Sequence, residues 1–296
     1  MRILILGAGG MLGHKLAGLL SERHDVVATV RDAAPPVELA VRLPRVTLRG
    51  GLDAVAPDAV AALLRQERPD AVVNCIGIIK QLKAAKDALP SIAINALFPH
   101  QLADWCGGIG SRLVHFGTDC VFSGAAGPYR PDAPADAPDL YGRTKYLGEV
   151  SGEGCLTIRS SIVGHELKGH VSLVDWFLSQ AGGRVKGFAN ALYTGMPTVV
   201  MAEVVRLALE EWTDLEGVWQ VAADPIAKYD LLHLINHIYG LGTRIDRDEA
   251  FHCDRRLDGT AFRERTGWEA PPWPAMVASM HADYLASGGG NARQNG

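Results

Sequence analysis

Short apolar runs alternate with amphipathic, alanine-rich segments from the first residues of the chain to Gly117. The apolar runs have the length of strands, and the amphipathic segments have the length and periodicity of helices. Parallel strands joined by helical crossovers bury such runs on both faces of a sheet. The sequence therefore predicts a doubly wound parallel α/β sheet, whose ligands bind beyond the carboxyl ends of its strands. The predicted strands are Arg2–Gly7, Asp25–Arg31, Asp70–Cys75 and Arg112–Gly117, and the predicted helices are Met11–Ser21, Asp58–Gln66 and Ile92–Trp105.

The composition supports a sizeable packed core and excludes several classes of function. Of the 296 residues, 48% are hydrophobic and 21% are charged, and the formal net charge is −4. Because the sequence contains no basic block, we expect no nucleic-acid partner. No apolar stretch approaches the roughly 20 residues that a membrane helix needs, so we expect no membrane partner.

Cysteine usage and the N-terminus indicate a cytoplasmic protein. The five cysteines show neither CxxC nor cysteine–histidine spacing, which is typical of reduced thiols and not of a disulfide framework or a metal site. The N-terminal apolar run is short and is followed at once by glycines, unlike a signal peptide. We therefore expect a cytoplasmic location and no bound metal.

A glycine-rich turn separates the first predicted strand from the first predicted helix. Gly7, Gly10 and Gly13 stand at GxxGxxG spacing. Such a turn needs glycine torsions, lets the backbone approach a pyrophosphate and lets the helix pack closely on the strand. The amides of Met11 and Leu12 would then point at the phosphates. A tight connection without a ligand is the alternative, but the strand before the turn and the helix after it favour dinucleotide binding.

The end of the second predicted strand distinguishes the two nicotinamide dinucleotides. An acid there would hydrogen-bond the adenosine ribose, whereas an arginine can neutralise a 2′-phosphate. Arg31 therefore favours NADPH, although Asp32 follows it directly and could favour NADH instead. A solvated arginine at a strand end is the alternative without a ligand.

The regular alternation loosens after Arg159, where glycine, tryptophan and proline become frequent. The sequence predicts a dinucleotide-binding Rossmann domain at 1–160, with returning segments near 190–225 that include a strand at Gly217–Ala222. A smaller α/β substrate-binding domain is predicted at 161–286, interleaved with the first. The glycine-rich, polar tail at 287–296 is predicted to be disordered.

Tyr141 and Lys145 are the strongest candidates for acid–base chemistry. Their spacing of four residues places both side chains on one face of a helix. A lysine cation stabilises a phenolate, so we expect Lys145 to draw the pKa of Tyr141 down toward the working pH. Thr118 ends a predicted strand about twenty residues upstream, where its hydroxyl could orient a carbonyl substrate while Tyr141 protonates it.

At these residues the sequence resembles the extended short-chain dehydrogenase/reductases, and within them it is similar to the dTDP-4-dehydrorhamnose reductase branch. The resemblance extends to about Leu285. The matching motifs are the glycine turn, the pair Leu52 and Asp53, Asn74, Asn95, the segment Gly117–Gly124, the segment Tyr141–Glu149, the segment Gly195–Thr198, and the pair Lys228 and Tyr229.

The resemblance implies an activity and assigns roles to single residues. It implies NAD(P)H-dependent reduction of the C4 ketone of a nucleotide-linked 4-keto-6-deoxy sugar, for deoxysugar and polysaccharide biosynthesis. Thr118 and Tyr141 would hold the ketone oxygen, and Lys145 would also bind the nicotinamide ribose. The further cofactor residues implied are Leu52, Asp53, which would contact the adenine, Cys75, Ile76, Gly77 and Asn95, and the implied substrate residues are Thr118, Asp119, Cys120, Phe122 and Ile162.

Three departures from the branch lie on its substrate side. Cys120 replaces a tyrosine, Ile162 stands where a tryptophan is frequent, and Gly164 with His165 replaces a tyrosine–glycine pair. The sugar and the base therefore remain open. A nucleotide-sugar epimerase or dehydratase with tightly held NAD is one alternative, and a non-catalytic regulatory subunit of this fold is another. Relatives in the branch include homodimers, so a homodimer is expected as an option for this chain.

Overall fold

The fold is described from a computed structural model, which describes residues 1–80, 83–167 and 171–288. The predicted disordered tail, 287–296, lies outside the described residues except for Ser287 and Gly288. The chain forms two compact units. The first contains Met1–Phe122, Pro134–Arg159 and Ala202–Gln220, and the second contains Ser123–Ala133, Ser160–Met201 and Val221–Gly296.

A seven-stranded sheet forms the centre of the first unit, and all of its strand pairs are parallel. With strands numbered along the whole chain, the spatial order is β10-β6-β5-β4-β1-β2-β3. This order confirms the predicted doubly wound sheet. The strands are β1 (Arg2–Leu6), β2 (Asp25–Thr29), β3 (Thr47–Arg49), β4 (Ala71–Asn74), β5 (Arg112–Phe116), β6 (Cys155–Arg159) and β10 (Gly217–Gln220).

The helices of the first unit follow the strands, as the alternation in the sequence requires. The first part of the predicted helix 92–105 is a π-helical stretch, Ile92–Leu97. A short α-helix precedes this stretch and a longer α-helix follows it. The helices are α1 (Gly13–Leu20), α2 (Val37–Arg42), α3 (Pro57–Glu67), α4 (Ala88–Ser91), α5 (Phe98–Ile109) and α6 (Leu140–Leu147), with short 3₁₀ turns at Lys83–Lys86 and Asp119–Val121. Helix α8 (Thr198–Glu210) begins in the second unit and continues into the first.

The second unit contains two small sheets. Its longest strands are β8 (Arg184–Tyr193) and β12 (Arg244–Asp254), which pair in parallel, while β11 (Ile226–Ala227) pairs with β8 in the antiparallel direction. The other sheet joins β7 (Ile162–Val163) to β9 (Met196–Pro197). The helices are α7 (Leu173–Leu178), α9 (Lys228–Tyr239), α10 (Thr260–Thr266) and α11 (Trp273–Ala286). No helix in the described parts of the chain is long and apolar enough to cross a bilayer.

Four elements of the first unit, α2, β3, α4 and β6, were absent from the sequence prediction, and α1 was placed too early. Helix α2 and strand β3 lie in a stretch whose sequence lacks a clear apolar period. Helix α1 begins at Gly13 and not at Met11, because the residues from Ala8 to Leu12 form the turn. The amides of Met11 and Leu12 therefore belong to the turn that precedes the helix.

The core of the sheet explains why the strands read as apolar runs. Ile3, Leu4, Ile5 and Leu6 are all fully buried, so both faces of β1 are covered. Side chains of α3 and α5 pack against β1, β4 and β5 in one cluster, which includes Leu64, Phe98 and Leu102. Residues buried on both faces need no polar alternation, and this is the signature of a parallel sheet.

The glycine turn predicts a measurable loss of stability for one substitution. A Cβ on Gly13 would lie 2.2 Å from the carbonyl oxygen of Gly7, and the backbone cannot yield without moving α1 off β1. We expect Gly13→Ala to lower the free energy of unfolding by about 1–3 kcal/mol. Urea unfolding measures the change.

Gly108→Ala is the matched control, because Gly108 lies within α5 and its Cβ would meet no atom within 4 Å. Alanine in an open helical position should raise the stability by about 0.5–1 kcal/mol. If Gly13→Ala proves as stable as the unaltered protein, the close approach of α1 to the turn is incorrect.

Candidate active site

Thr118 directly follows β5, at the carboxyl edge of the sheet. Its backbone is extended, with φ −156°, and its side chain is buried. The Thr118 hydroxyl oxygen accepts a hydrogen bond from the Cys120 amide at 3.1 Å, which caps the 3₁₀ turn Asp119–Val121. The same hydroxyl donates to Asp119 Oδ1 at 3.3 Å. The strand end and the turn therefore fix the position of Thr118.

Helix α6 begins against this turn. Asp139 caps the helix by accepting a hydrogen bond from the Gly142 amide at 2.8 Å. A Cβ on Gly142 would lie only 2.2 Å from the Cys120 carbonyl oxygen, so only glycine permits the contact. This approach brings the first turn of α6 to the strand end, close enough for the Thr118 hydroxyl to affect the pKa of the Tyr141 phenol.

The phenol of Tyr141 is stabilised in its neutral form. Burial raises its pKa well above the usual value of 10.0, and the nearby Cys120 and Asp119 raise it further, while the Thr118 hydroxyl lowers it. The expectation that Lys145 draws this pKa down was wrong for the free protein, because the cost of burying a phenolate exceeds the help from its neighbours. Tyr141 therefore carries its proton throughout the neutral pH range.

Lys145 lies buried one helical turn after Tyr141. Its Nζ donates a hydrogen bond to the Phe116 carbonyl oxygen at the end of β5, over 2.7 Å. Burial lowers the pKa of Lys145 to about 8, and the carboxylate of Glu149 opposes that fall. The ammonium is therefore held next to the strand that carries Thr118, and it can lose its proton in mildly alkaline solution.

The glycine turn contacts the residues that follow β4. Gly7 has φ 90°, a conformation that favours glycine. A Cβ there would lie 3.1 Å from the Ile76 side chain and 3.2 Å from the Cys75 carbonyl. The Cys75 amide donates to the Leu6 carbonyl oxygen at 2.9 Å. Two of the segments predicted to line a cofactor are thus adjacent.

Two buried asparagines hold the segment after β4. Asn95, in the π-helical stretch, accepts a hydrogen bond from the Ile78 amide at 2.8 Å and donates to the Ile78 carbonyl at 3.0 Å. Asn74 accepts from the Ile76 amide at 3.1 Å. The Asn95 amide group is thus occupied by the backbone of this segment, which it positions. π-helical stretches of this kind occur often at functional sites.

His115 is a buried neighbour of the site that was not among the site residues predicted from the sequence. Its Nδ1 lies 3.1 Å from Asn74 Nδ2, across the paired strands β5 and β4. Burial, with help from Lys145 and His100, lowers the pKa of His115 well below its usual value. Asn74 and His115 are paired in the register of β4 against β5, so knowledge of that register would have identified the contact. A single sequence does not specify the register.

The residues predicted to contact the adenosine half lie near the carboxyl ends of β2 and β3. Arg31 and Asp32 are exposed directly after Val30, and Leu52 is buried in the main apolar cluster. The Asp53 carboxylate accepts a hydrogen bond from the Val55 amide at 3.1 Å. Because its side chain is buried, Leu52 can offer a ligand its backbone more readily than its side chain.

The predicted substrate residues fall into different environments. Asp119 is buried, Cys120 is partly exposed, and both lie in the turn after Thr118. Phe122 is fully buried, and the guanidinium carbon of Arg159 lies 5.3 Å from the centre of its ring, so its side chain packs inside the first unit. Ile162 belongs to the second unit, in β7.

A family model described as RmlD substrate binding domain matches residues 1–239. The chain belongs to this family. Among members of known name, a dTDP-4-dehydrorhamnose reductase from Burkholderia thailandensis is 30% identical over 321 residues, which cover 97% of this chain and 100% of that protein.

Two further proteins show how far the likeness extends in this family. A dTDP-4-dehydrorhamnose reductase from Streptomyces griseus is 34% identical over 149 residues, or 50% of this chain, and the matched part is 43% of its length. Several matches thus span less than half of the curated relative. The crystal structure of a Bacillus anthracis dTDP-4-dehydrorhamnose reductase in complex with NADP shares the fold, with a TM-score of 0.75 at 17% identity, and the match covers 95% of this chain and 99% of that one.

Among the described residues of this family member, no group of three or more histidine, cysteine, aspartate or glutamate side chains is arranged to hold a metal ion. The five cysteines are all free thiols. Burial raises the pKa of Cys75, next to the glycine turn, so this thiol stays protonated.

The buried ammonium of Lys145 makes a contribution to stability that rises with pH in mildly alkaline solution. Folding lowers the Lys145 pKa from 10.5 to about 8, so between these values this group binds more protons in the unfolded chain, and its contribution to the free energy of unfolding rises with pH. Between pH 8 and 10, we expect Lys145 to add about 2 kcal/mol of stability, an increase that a Lys145→Met variant lacks. Urea unfolding of both proteins across this range measures the difference.

Tyr141 acts in the opposite direction but only from about pH 10 upward, because folding raises its pKa above the usual 10.0. The buried thiols of Cys75, Cys106 and Cys155 also act in that direction, from about pH 9 upward, because burial raises their pKa above the usual value of 9.0. Both proteins contain these groups, so the difference between the two pH profiles reports on Lys145. Parallel pH profiles for the two proteins would contradict the assignment of a buried, destabilised ammonium.

Proposed function

We propose that the chain is an NADPH-dependent reductase of the C4 ketone of a nucleotide-linked 4-keto-6-deoxy sugar, acting in deoxysugar and polysaccharide biosynthesis. The observation that carries the proposal is that three groups meet at the carboxyl end of β5. Thr118 ends the strand and affects the pKa of the Tyr141 phenol, and Lys145 Nζ donates a hydrogen bond to the Phe116 carbonyl oxygen. A hydroxyl pair at this edge of a parallel sheet suits a carbonyl substrate, since ligands of such sheets bind there. The names of the relatives support the same reaction class.

The first unit has the features that a dinucleotide requires. The turn from Gly7 to Gly13 packs so closely that a side chain at Gly13 would strike the backbone, which supports pyrophosphate binding at its surface. In the proposal, the turn residues hold the phosphates, Asp53 and Arg31 face the adenosine half, and Lys145 with Tyr141 faces the nicotinamide half. A reduced nicotinamide supplies a hydride to a carbonyl carbon.

Tyr141 supplies the proton in this proposal. Its raised pKa keeps the phenol protonated, so an O–H is available when negative charge develops on the carbonyl oxygen. The O–H bond of Tyr141 breaks, the proton forms the new hydroxyl of the product, and the phenolate regains a proton from solvent. The Thr118 hydroxyl orients the same oxygen, and the ammonium of Lys145 stabilises the developing phenolate.

Replacement of the phenolic oxygen tests this role. We expect Tyr141→Phe to lower kcat by about 10²–10⁴, because general acid catalysis contributes a factor of that size. NADPH binding should change little. The measurement follows NADPH absorbance at saturating dTDP- and UDP-linked 4-keto-6-deoxyhexose, with NADH in parallel, and NADPH affinity by tryptophan fluorescence.

Tyr146→Phe is the control, since Tyr146 lies on the same helix and is 47% exposed. It should retain full activity. Near-normal turnover by Tyr141→Phe would remove Tyr141 from the acid role. A folded protein that turns over none of these sugars with either dinucleotide would end the proposal.

The proposal includes a homodimer in the cytoplasm. Exposed apolar side chains on α6 and on the contacting π-helical stretch support self-association, among them Leu147 (62% exposed), Leu97 (53%) and Ile92 (48%). An exposed apolar surface of several neighbouring side chains commonly marks an interface. The free thiols support a reducing compartment.

A charge placed in this surface tests the dimer. We expect the unaltered protein to sediment at about twice 31.7 kDa and Leu147→Glu to sediment near the monomer mass, because a buried unpaired carboxylate destabilises an interface. Val41→Glu serves as the control, since Val41 is 74% exposed on α2, away from these helices. A monomer in every case would contradict the dimer and leave the reductase assignment intact.

A further inference from the structure

A buried ion pair lies beyond the end of α6, outside the residues discussed so far as acid–base groups. Arg159, the last residue of β6, donates to Glu149 Oε1 at 2.8 Å through Nε and to Oε2 at 2.6 Å through Nη2. The two side chains are only 7% and 5% exposed. A paired, two-point contact of this kind fixes geometry strongly, because both partners lose their hydration.

The pair is packed tightly against the strand end that precedes Thr118. A Cβ on Gly117 would lie 2.9 Å from Glu149 Oε1 and 3.3 Å from the Arg159 Cα. The Gly117 amide also donates to the Ile158 carbonyl at 2.8 Å. The guanidinium lies over the Phe122 ring on another side. These contacts leave the pair no room to move without moving the strand end.

Lys145 and the ion pair border the same strand end. Lys145 Nζ donates to the carbonyl oxygen of Phe116, and the Glu149 carboxylate packs against the next residue, Gly117. Glu149 follows Lys145 by four residues along the chain, and its carboxylate raises the pKa of Lys145 against the effect of burial. Within the described residues, the titratable groups that interact electrostatically with the ammonium are Glu149 and, on β5, His115. Asp119, Cys120 and the capping Asp139 act on the Tyr141 phenol, and Arg159 on β6 pairs with Glu149. Glu149 is the carboxylate that raises the pKa of Lys145.

We propose that the Glu149–Arg159 ion pair is a positioning element that sets the balance of charge around the Lys145 ammonium. Glu149 supplies a negative charge that keeps the buried ammonium protonated, and Arg159 limits that effect by pairing with the same carboxylate. The inference deepens the proposed reductase function and rests on it for its catalytic meaning. The interaction between the ion pair and Lys145 is present in the protein without a ligand, so it can be tested without turnover.

Removing one partner at a time should shift the titration of Lys145 in opposite directions. Glu149→Gln removes the attraction and leaves the Arg159 cation, so the pKa of Lys145 should fall by about one unit. Arg159→Met leaves Glu149 without its partner, so the pKa should rise. The double variant should lie between the two. A purely structural pair would lower stability in both single variants without shifts of opposite sign.

The measurement is the pH dependence of acetylation of Lys145 by acetic anhydride, followed by mass spectrometry of the cofactor-free protein from pH 6 to 11. It requires no turnover, so failure of the reductase assignment would not affect it. Loss of the opposite shifts in a protein that still reduces a nucleotide sugar would overturn the positioning role alone. In an active reductase, the alkaline limb of the kcat profile should shift in the same order.

Glu203→Gln provides the matched control, because Glu203 pairs with Arg206 on α8 and is 42% exposed. It should leave Lys145 unchanged. If Arg159→Met does not fold, Glu149→Gln and the double variant still test the proposal. The pKa of Lys145 must be higher in the double variant than in Glu149→Gln. Equal titration of Lys145 in these two variants, or a rise in Glu149→Gln, would contradict the proposal.

Discussion

The close contact between the first turn of α6 and the Cys120 carbonyl determines the geometry of the candidate site. Gly142 permits it, because any Cβ there would overlap the carbonyl oxygen. The contact sets the distance from Tyr141 to the end of β5, and so decides that the phenol reaches Thr118. The Asp139 cap holds the helix start in the same place. Acid–base groups on two elements thus meet although the irregular segment 122–139 separates those elements in the sequence.

Burial then decides the protonation states. Without a bound ligand, the phenol of Tyr141 and the imidazole of His115 are driven to their neutral forms, and the ammonium of Lys145 is weakened. Glu149, one partner of the ion pair, opposes the fall in the pKa of Lys145. A neutral proton donor and a cation whose pKa is lowered toward neutrality suit a site in which negative charge develops only during the reaction.

The sequence predicted the sheet well because parallel strands buried on both faces leave continuous apolar runs, as at Ile3–Leu6. It also predicted Thr118, Tyr141 and Lys145 as candidates from their order and spacing, and their proposed roles remain to be tested. It missed the short elements α2, β3, α4 and β6. The segments of α2 and β3 lack a clear apolar period. The ionisation of Tyr141 was predicted with the wrong sign, because desolvation depends on packing that no spacing rule contains. The contact of Asn74 with His115 depends on strand register, which a single sequence does not specify.

The most direct test of the account is a crystal structure of the chain grown with NADPH. The account predicts electron density for the pyrophosphate at the turn from Gly7 to Gly13, and a Tyr141 hydroxyl within hydrogen-bonding distance of the Thr118 hydroxyl. A dinucleotide bound elsewhere, or a phenol turned away from the end of β5, would contradict it.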